Sequence, residues 1–473
     1  MISIDDLWNF APLLIVSLTG VIILIVEGSK SGSTKTTFWL SILGIFSALV
    51  MAIINYSPMF PAINGFLQHG GYANFLTILF LVSGFLTILI LKEYFERLDV
   101  PRSELYALIF FAISGMILMA SALDLIIIFL GIEVMSVCLY ILVGSTRKKL
   151  KSNESALKYF LLGAFATGFL LYGIALIYGT TGTTSLNLIA QNFNFYLTKP
   201  LFLAGAALLI IAFSFKVAAV PFHMWAPDVY EGAPTPITAF MSTGAKAAAF
   251  GMFLIVFVQV LNFGGTKISQ AIAMLSAISM VVGNVIAISQ QNVKRMLAYS
   301  SIAHAGYILS GIAAANEIGK IGVLFYLTAY TFMNLGAFTI VALMEAEEDK
   351  KLTFDDYSGL SKSHPVLAAL TTLFMFALTG IPPFAGFVGK YYVFLSAVKA
   401  EMVWLAVVGV LASLVSAYYY LRLVVIMYFK EGVSSPSSKR NIGVVLALFI
   451  TAFFVFQLGV YPSVILDLAG SLF

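Results

Sequence analysis

Six ionisable side chains stand within long apolar stretches of the sequence, where charge is costly. They are Glu133, Lys158, Lys216, Lys246, His304 and Lys390. A charged group at the centre of a bilayer costs at least about 2.5–3.5 kcal/mol, so such groups are typically paired or functional. Burial and a nearby carboxylate act in opposite directions on the affinity of a lysine for its proton. A buried lysine near a carboxylate can therefore take up and release protons, which is the chemistry of a proton path.

Residue type and spacing favour this chemistry over a purely structural role at four positions. Glu133 and Lys216 can form an ion pair that only holds helices together, but Lys216 also stands five residues before a proline. Lys246, among glycine and alanines, can serve close helix packing, and Lys390 can reach toward the membrane surface. We predict that all four carry protons. All the intramembrane bases except one histidine are lysines, which release a proton more readily than arginine does.

Two further candidates have structural alternatives of equal weight. Lys158 lies only a few residues into its apolar stretch, so its ammonium can extend to the aqueous interface. Histidine has an unperturbed pKa near neutral, which suits a proton relay, but a hydrogen-bonded core histidine is an equal alternative for His304. We include both as candidate proton carriers. Asp124 precedes an apolar run and is predicted to be a helix N-cap rather than a proton site.

The elements that must position these residues are membrane helices. The chain has 473 residues, of which 60% are hydrophobic and 10% charged, whereas soluble proteins carry about 25% charged residues. Soluble enzymes and nucleic-acid binders are thereby excluded. About fourteen apolar runs reach the roughly 20 residues that a membrane helix needs, and none alternates as a barrel strand does. We predict an all-α integral membrane protein with about fourteen transmembrane helices.

The basic residues of the loops support this helix count. Fourteen spans divide the loops into two alternating sets, one with 18 lysines and arginines and the other with 4. We call the membrane face with 18 the basic side. By the positive-inside rule it is cytoplasmic, which predicts a multi-pass protein of the cell inner membrane with both termini on the outer (periplasmic) side.

Two of the spans are predicted to be broken by proline. Six of the 14 prolines lie in residues 213–236 and 378–391. Unwound backbone inside a membrane is tolerated where it is buried in protein or lines a water-filled cavity, and paired interruptions of this kind point to an ion path. An offset of 162 residues relates Lys158 to Lys320 and Pro221 to Pro383. Because this offset spans five helices, an odd number, the second copy would be inverted.

The sequence gives no sign of a cofactor or metal site. Its single cysteine, Cys138, excludes a thiolate-held cluster, which needs about four cysteines. The four histidines are scattered, and no phosphate-binding glycine loop is present. We therefore expect neither metal, haem nor nucleotide in this chain.

Three motifs give the chain a resemblance to a known family. They are FSFKVAAVPFHMWAPDVYEGAPTPITAFMSTGAKAAAF, NVKRMLAYSSIAHAGYIL and LTGIPPFAGFVGKYYVF. Over its whole length the chain resembles the antiporter-like membrane subunits of respiratory complex I and the Mrp cation/proton antiporters. The resemblance implies two inverted five-helix repeats, each with a broken helix. It divides the chain into residues 1–102, the repeats 103–262 and 263–430, and a final helix in 431–473.

The resemblance also implies roles for the candidate residues. Glu133 would pair with Lys216, Lys246 and His304 would form a central hydrophilic axis, and Lys390 would be the exit site. The implied function is a proton-translocating subunit of an NADH:quinone oxidoreductase, a translocase in which this chain performs no redox chemistry. Its partners would be paralogous and small membrane subunits, the redox arm and the lipid bilayer. The alternatives are a subunit of an Mrp antiporter or a related hydrogenase, and a structural spacer; an intramembrane enzyme is disfavoured.

Overall fold

The fold consists of membrane-spanning helices. The computed structural model describes residues 4–473 except 30–33, 57–59, 63–64, 98–102, 346–351, 433, 435 and 437–440. This part of the chain is helical apart from loops and one β-hairpin. Within it, 12 helices are long and apolar enough to cross a membrane. The all-α membrane fold class predicted from the sequence is confirmed.

The N-terminal region contributes three spans and the hairpin. In the hairpin, Phe60 lies opposite His69 in an antiparallel register. The elements are α1 (Ile4–Asn9), α2 (Ala11–Ser29), α3 (Thr34–Ile54), β1 (Phe60–Ala62), β2 (Leu67–His69) and α4 (Gly71–Arg97).

The next five spans form the first of two comparable sets. The fifth span of the set, Thr235–Val260, contains two π-helical segments, Met241–Ala245 and Ile255–Val260. The helices of this set are α5 (Glu104–Ser121), α6 (Leu125–Val143), α7 (Leu150–Thr181), α8 (Leu186–Gln191), α9 (Phe193–Tyr196), α10 (Pro200–Val217), α11 (Trp225–Gly232), α12 (Thr235–Phe240) and α13 (Lys246–Leu254).

The second set and the C-terminal region complete the described structure. A 3-10 turn at Phe354–Tyr357 precedes the broken span of this set. The helices are α14 (Lys267–Ser289), α15 (Val293–Ala314), α16 (Glu317–Met344), α17 (Leu360–Ser363), α18 (Pro365–Thr379), α19 (Ala385–Lys399), α20 (Val403–Phe429), α21 (Ile442–Val460) and α22 (Ser463–Gly470). Each apolar run found in the sequence is therefore helical. Twelve runs form helices that are long and apolar enough to cross a membrane. Of the other two, one is the less apolar α15, and the other is divided into the halves α18 and α19.

Both proline-containing breaks lie in the fourth span of their set. The helix α10 ends at Val217, and Ala218 takes a left-handed conformation with φ of 59°. The helix α18 ends at Thr379, where Gly380 has φ of 89°, a conformation that glycine adopts without strain. The repeat boundaries proposed from the sequence remain a prediction, and the boundary at residue 102 lies outside the described residues.

Helix packing encloses the centre of the molecule. The apolar residues of α16 and of the span Thr235–Val260 are completely buried, whereas α2, α20 and α21 bury only a third of theirs or less. Small residues permit close approach: a Cβ on Gly115 would lie 2.5 Å from the backbone N of Met135. The two enclosed spans are therefore shielded from lipid by their neighbours.

Six of the 18 basic-side residues lie outside the described ranges: Lys30, Arg102, Lys350, Lys351, Lys439 and Arg440.

Asp124 caps a helix, as the sequence predicts. Its Oδ1 accepts a hydrogen bond of 2.8 Å from the backbone N of Ile126, and its Oδ2 accepts one of 2.7 Å from Thr184. These bonds satisfy one of the free amides at the start of α6 and tie that end to the loop before α8.

Candidate proton path

Lys216 lies at the end of a helix that the chain then interrupts. The side chain is 7% exposed, and its Nζ donates a hydrogen bond of 2.8 Å to Ser136 Oγ on α6. At the break, the carbonyl of Phe215 accepts a bond of 2.9 Å from Trp225 Nε1. The same carbonyl accepts a bond of 3.1 Å from the backbone N of Ala218, so a tryptophan of α11 ties that helix to the end of α10.

Glu133 and Lys216 do not form the direct ion pair that the resemblance implies. No ion pair within 4.0 Å joins them among the described side chains; instead, Thr167 of α7 donates a bond of 2.7 Å to Glu133 Oε1. Ser136 follows Glu133 by three residues and so lies on the same face of α6. The Lys216 ammonium therefore bonds the hydroxyl of Ser136, which lies one helical turn along α6 from the Glu133 carboxylate.

Lys246 begins α13 directly after a π-helical segment. Its Nζ donates a bond of 2.7 Å to the carbonyl of Ser301 on α15, and it also bonds the hydroxyl of that serine. The side chain is 3% exposed. Single π-helical turns within α-helices are frequent at functional sites because they displace the helix backbone. Sequence periodicity does not reveal this π segment, since its composition is that of an ordinary helix.

His304 is joined to the Lys246 region by hydroxyl groups. Its Nδ1 lies 2.8 Å from the hydroxyl of Tyr326, and its Nε2 lies 3.2 Å from the hydroxyl of Tyr420. Tyr420 is in turn hydrogen bonded to Ser300, the neighbour of Ser301 in α15. Lys246 and His304 therefore each contact buried serine or tyrosine hydroxyls, and the two groups of hydroxyls meet at the adjacent residues Ser300 and Ser301, which are not hydrogen bonded to each other within the described structure.

Lys390 lies over the second break. Its Nζ donates bonds of 2.7 Å to the carbonyl of Thr379 and to Ser413 Oγ, and one of 3.2 Å to the carbonyl of Leu378. The carbonyls at the end of α18 carry partial negative charge, which stabilises an ammonium there. The ammonium also lies 4.9 Å from the centre of the Tyr307 ring, next to the His304 region.

A cavity of about 650 Å³ opens beside Lys390. Its wall is mainly apolar, and Lys390 and Ser413 supply polar atoms on it. Its apolar side chains include Phe387, Tyr391, Phe394, Val410 and Leu414. The cavity places Lys390 between the buried polar region and the periphery of the bundle.

Lys158 does not lie on the buried line. Its side chain is 43% exposed and pairs with Glu154 at 2.7 Å and with Asp228 at 3.0 Å. Asp228 also pairs with Arg295 of α15 at 2.9 Å. Burial favours a higher pKa for Asp228, yet the hydrogen bonds from Lys158 and Arg295 outweigh it and hold the pKa of that carboxyl below its usual value. The structure gives Lys158 a place in a surface ion-pair network, and its role as a proton carrier stays a prediction.

Comparisons with known proteins decide the family. The family described as "NADH:quinone oxidoreductase/Mrp antiporter, TM" matches residues 122–416. NADH-quinone oxidoreductase subunit N of Trichlorobacter lovleyi is 45% identical, with 97% of this chain and 95% of the relative covered. Subunit N 1 of Chloroherpeton thalassium is 44% identical, with 98% of each chain covered. The chain belongs to the subunit N family of NADH-quinone oxidoreductases. The resemblance inferred from the sequence motifs is confirmed.

Solved structures extend the comparison to the fold. A chain of respiratory complex I from Thermus thermophilus with bound aureothin is 33% identical, with a TM-score of 0.85 and coverage of 97% of this chain and 99% of that one. A chain of the Mrp complex from Dietzia sp. DQ12-45-1b has a TM-score of 0.86 at 19% identity, covering 98% and 96% of the two chains. The second likeness shows the fold alone. A subunit N family member and an Mrp chain thus share one architecture.

Several residues of this subunit N family member were missed by sequence reasoning. The hydroxyls that join the charged residues were expected only as a class, and the sequence contains too many serines and tyrosines to select among them. Spacing offered one signal: Ser300, Ser301 and His304 recur at helical intervals in α15. The missed hydroxyls that contact a predicted residue directly are Ser136, Thr167, Ser301, Tyr326, Ser413 and Tyr420.

The network around Asp228 predicts a pH-dependent contribution to stability. Because the folded-state pKa of Asp228 is lowered, its contribution is present above the unfolded value of about 3.9 and is lost as the pH falls through the folded value. We expect Asp228→Asn to destabilise the protein by about 1 kcal/mol or less at neutral pH, since these groups are partly solvent-screened. Thermal unfolding of wild type and variant should converge on acidification. Glu154→Gln, which alters only the pair with Lys158, is the milder control; a pH-independent gap would contradict the assignment.

Proposed function

We propose that this chain is the proton-translocating membrane subunit of a multisubunit NADH:quinone oxidoreductase. The observation that carries the proposal is the group of buried serine and tyrosine hydroxyls that contact Lys246 and His304, with Lys390 beside the neighbouring Tyr307 ring. Lysine and histidine side chains joined by hydroxyls can pass protons in steps without a carrier molecule. The relatives' name assigns oxidation of NADH by quinone to the complex as a whole; in our proposal this chain takes no part in that redox step.

The path has an order that follows the contacts. Protons reach Lys216 beside Ser136 and Glu133, continue to Lys246, cross the hydroxyls to His304 and leave from Lys390. The buried hydroxyl of Tyr230 interacts with Ser301, the serine that bonds Lys246, and the Tyr230 ring packs against Trp225 at the break after Lys216. Buried polar groups of this kind are commonly satisfied by internal water. Water beside Tyr230 would join the first lysine to the second.

The direction of transport follows from the distribution of loop charges. We propose that the basic side faces the cytoplasm, that both termini face the outer side, and that the protein resides in the cell inner membrane. Each proton then moves outward against about 2.3 kcal/mol for every 100 mV of membrane potential. That work requires a coupled partner, so we propose assembly with antiporter-like paralogues and small membrane subunits that connect the chain to the NADH-oxidising arm. The lipid bilayer surrounds the assembly.

A cation/proton antiporter subunit of Mrp type is the second candidate, favoured by the fold shared with the Mrp chain. The two functions differ in what drives transport. Acidification of proteoliposomes that needs NADH and quinone, and is unchanged when sodium is replaced by potassium, supports the oxidoreductase subunit. Transport that needs sodium and persists without NADH supports the antiporter.

Lys216→Met tests the first step of the path. We expect the assembled complex to translocate protons about tenfold more slowly, because the proton-holding group beside Ser136 is lost while methionine fills its volume. The measurement is protons moved per electron in sealed vesicles, with assembly checked by native gel. Lys199→Met, at the other end of α10, is the matched control and should pump normally. Wild-type pumping by an assembled Lys216→Met complex would give Lys216 a structural role only.

A further inference from the structure

A buried carboxylate that the proposed path does not use lies on the basic side. Glu345 follows the last residue of α16 and is 1% exposed. Its Oε2 accepts a hydrogen bond of 2.5 Å from Thr235 Oγ1, at the first position of α12. Its Oε1 makes no direct hydrogen bond within the described residues and lies 4.0 Å from Lys149 Nζ. Burying a carboxylate is costly, so its place calls for a specific reason.

The surroundings of Glu345 are polar and come from several elements. Lys149 lies in the loop before α7, and Lys294 of α15 donates a bond of 2.6 Å to the carbonyl of Ala233, two residues before Thr235. Tyr357, from the 3-10 turn, is close enough for electrostatic interaction with Glu345. Burial, followed by the charges of Asp356 and Glu345, raises the pKa of that phenol, which therefore stays protonated. Glu345 thus lies among polar groups that come from the basic-side loops and helix ends.

From Glu345, hydroxyl groups lead inward along one helix face. Thr235, Thr238, Ser242 and Lys246 follow at spacings of three, four and four residues, which brings them to the same face of the span. All four side chains are buried. The first of them bonds Glu345, and the last is the central lysine. The span itself is one of the two that are enclosed by protein.

A side branch reaches His304 from the same face. Ser242 Oγ accepts a bond of 2.8 Å from Asn334 Nδ2, which also lies 3.0 Å from the hydroxyl of Tyr330. The Tyr330 ring packs against the His304 ring with 5.0 Å between centroids. The buried Oδ1 of Asn334 has no direct partner within the described structure. Polar contacts therefore lead from this helix face to Tyr330, whose ring packs on that of His304.

We infer that Glu345 is a proton-loading carboxylate, which takes protons from the basic side and delivers them along Thr235, Thr238 and Ser242 to Lys246. This inference rests on the proposed function. It supplies the central lysine by a route separate from Lys216. In the loading step the Glu345 carboxylate binds a proton; in the delivery step that proton moves through the hydroxyls and associated water to the neutral amine of Lys246. No electron transfer is involved.

Glu345→Gln in the intact complex is the test. Glutamine keeps an oxygen that accepts from Thr235 but cannot be loaded with a proton, so we expect proton-coupled turnover about tenfold slower, with the loss greatest at alkaline pH where protons are scarce. Glu345→Asp should restore part of the rate. Glu317→Gln, at the opposite end of α16 in an exposed pair with Lys320, is the control and should behave as wild type.

Thr235→Val is the second variant, because it leaves the carboxylate in place and removes only the hydroxyl. We expect a comparable loss, and Thr235→Ser should restore turnover. Wild-type pumping by either Glu345→Gln or Thr235→Val at neutral and alkaline pH would overturn the inference. Lys246→Met, measured in parallel, separates the two proposals. If Lys246→Met does not pump while Glu345→Gln pumps normally, the proposed function stands and only the loading role of Glu345 is excluded.

Discussion

Replacing Lys246 by methionine is expected to reduce proton translocation by about 100-fold or more, in a complex that still assembles. Lys246 bonds the carbonyl and the hydroxyl of Ser301 and lies at the inner end of the helix face that begins at Thr235. Methionine has a similar length and suits the buried site, but it holds no proton. Protons per electron, measured in vesicles with the quinone reductase rate recorded alongside, check this result.

Lys246→Arg distinguishes a proton carrier from a structural cation. Arginine keeps the positive charge and donates hydrogen bonds to the Ser301 carbonyl, but it does not release its proton at physiological pH. We therefore expect the arginine variant to pump as poorly as Lys246→Met. Lys267→Met, an exposed lysine at the start of α14, is the control for the loss of a lysine from this region. Normal pumping by Lys246→Arg would mean that the site needs only a charge.

Lys390→Met is expected to cause a loss of similar size, about 100-fold, because Lys390 stands between the His304 region and the cavity of about 650 Å³. The substitution also removes the donor that bonds the carbonyls of Leu378 and Thr379. Assembly is therefore measured together with pumping. Lys399→Met, nine residues further along α19 and exposed, is the matched control.

Ser413→Ala separates the proton role of Lys390 from its structural role. The alanine variant retains both carbonyl bonds of the ammonium and removes only the hydroxyl on the cavity side. We expect a smaller loss of pumping, about fivefold, since one hydrogen bond contributes about 1 kcal/mol net. An assembled Lys390→Met complex that pumps at the wild-type ratio would exclude Lys390 from the path.

Local chemistry explains what sequence reasoning predicted correctly. Membrane spans are readable because about 20 apolar residues are needed to cross the bilayer, and the two breaks are readable because proline cannot continue a helix hydrogen-bond pattern. The cap at Asp124 follows from the same kind of local rule. Lysines in apolar runs are easily found because a charge there is costly, and their role as proton carriers stays a prediction.

Contacts between distant helices could not be predicted in this way. The expected pair of Glu133 and Lys216 is replaced by bonds from Thr167 to Glu133 and from Lys216 to Ser136, because the rotation of each helix about its axis decides which side chain a lysine meets. Lys158 differs from the other lysines in its exposure and in its carboxylate partners, and its pair with Asp228 depends on the packing of α7 against α11. Glu345 begins a charged loop in the sequence, so it was not predicted to be a buried site residue, yet the fold buries it against Thr235.

The sequence by itself determined that this protein lies in a membrane, is helical, has two interrupted spans and carries ionisable side chains in its apolar runs, since these properties depend on residues close together along the chain. Only the tertiary structure decided which hydroxyls join those side chains, since residues 116 positions apart, as His304 and Tyr420 are, meet through packing alone. A proton path requires hydrogen-bonding groups within about 3 Å of one another. Such distances are set by the enclosure of two central spans within the helices around them.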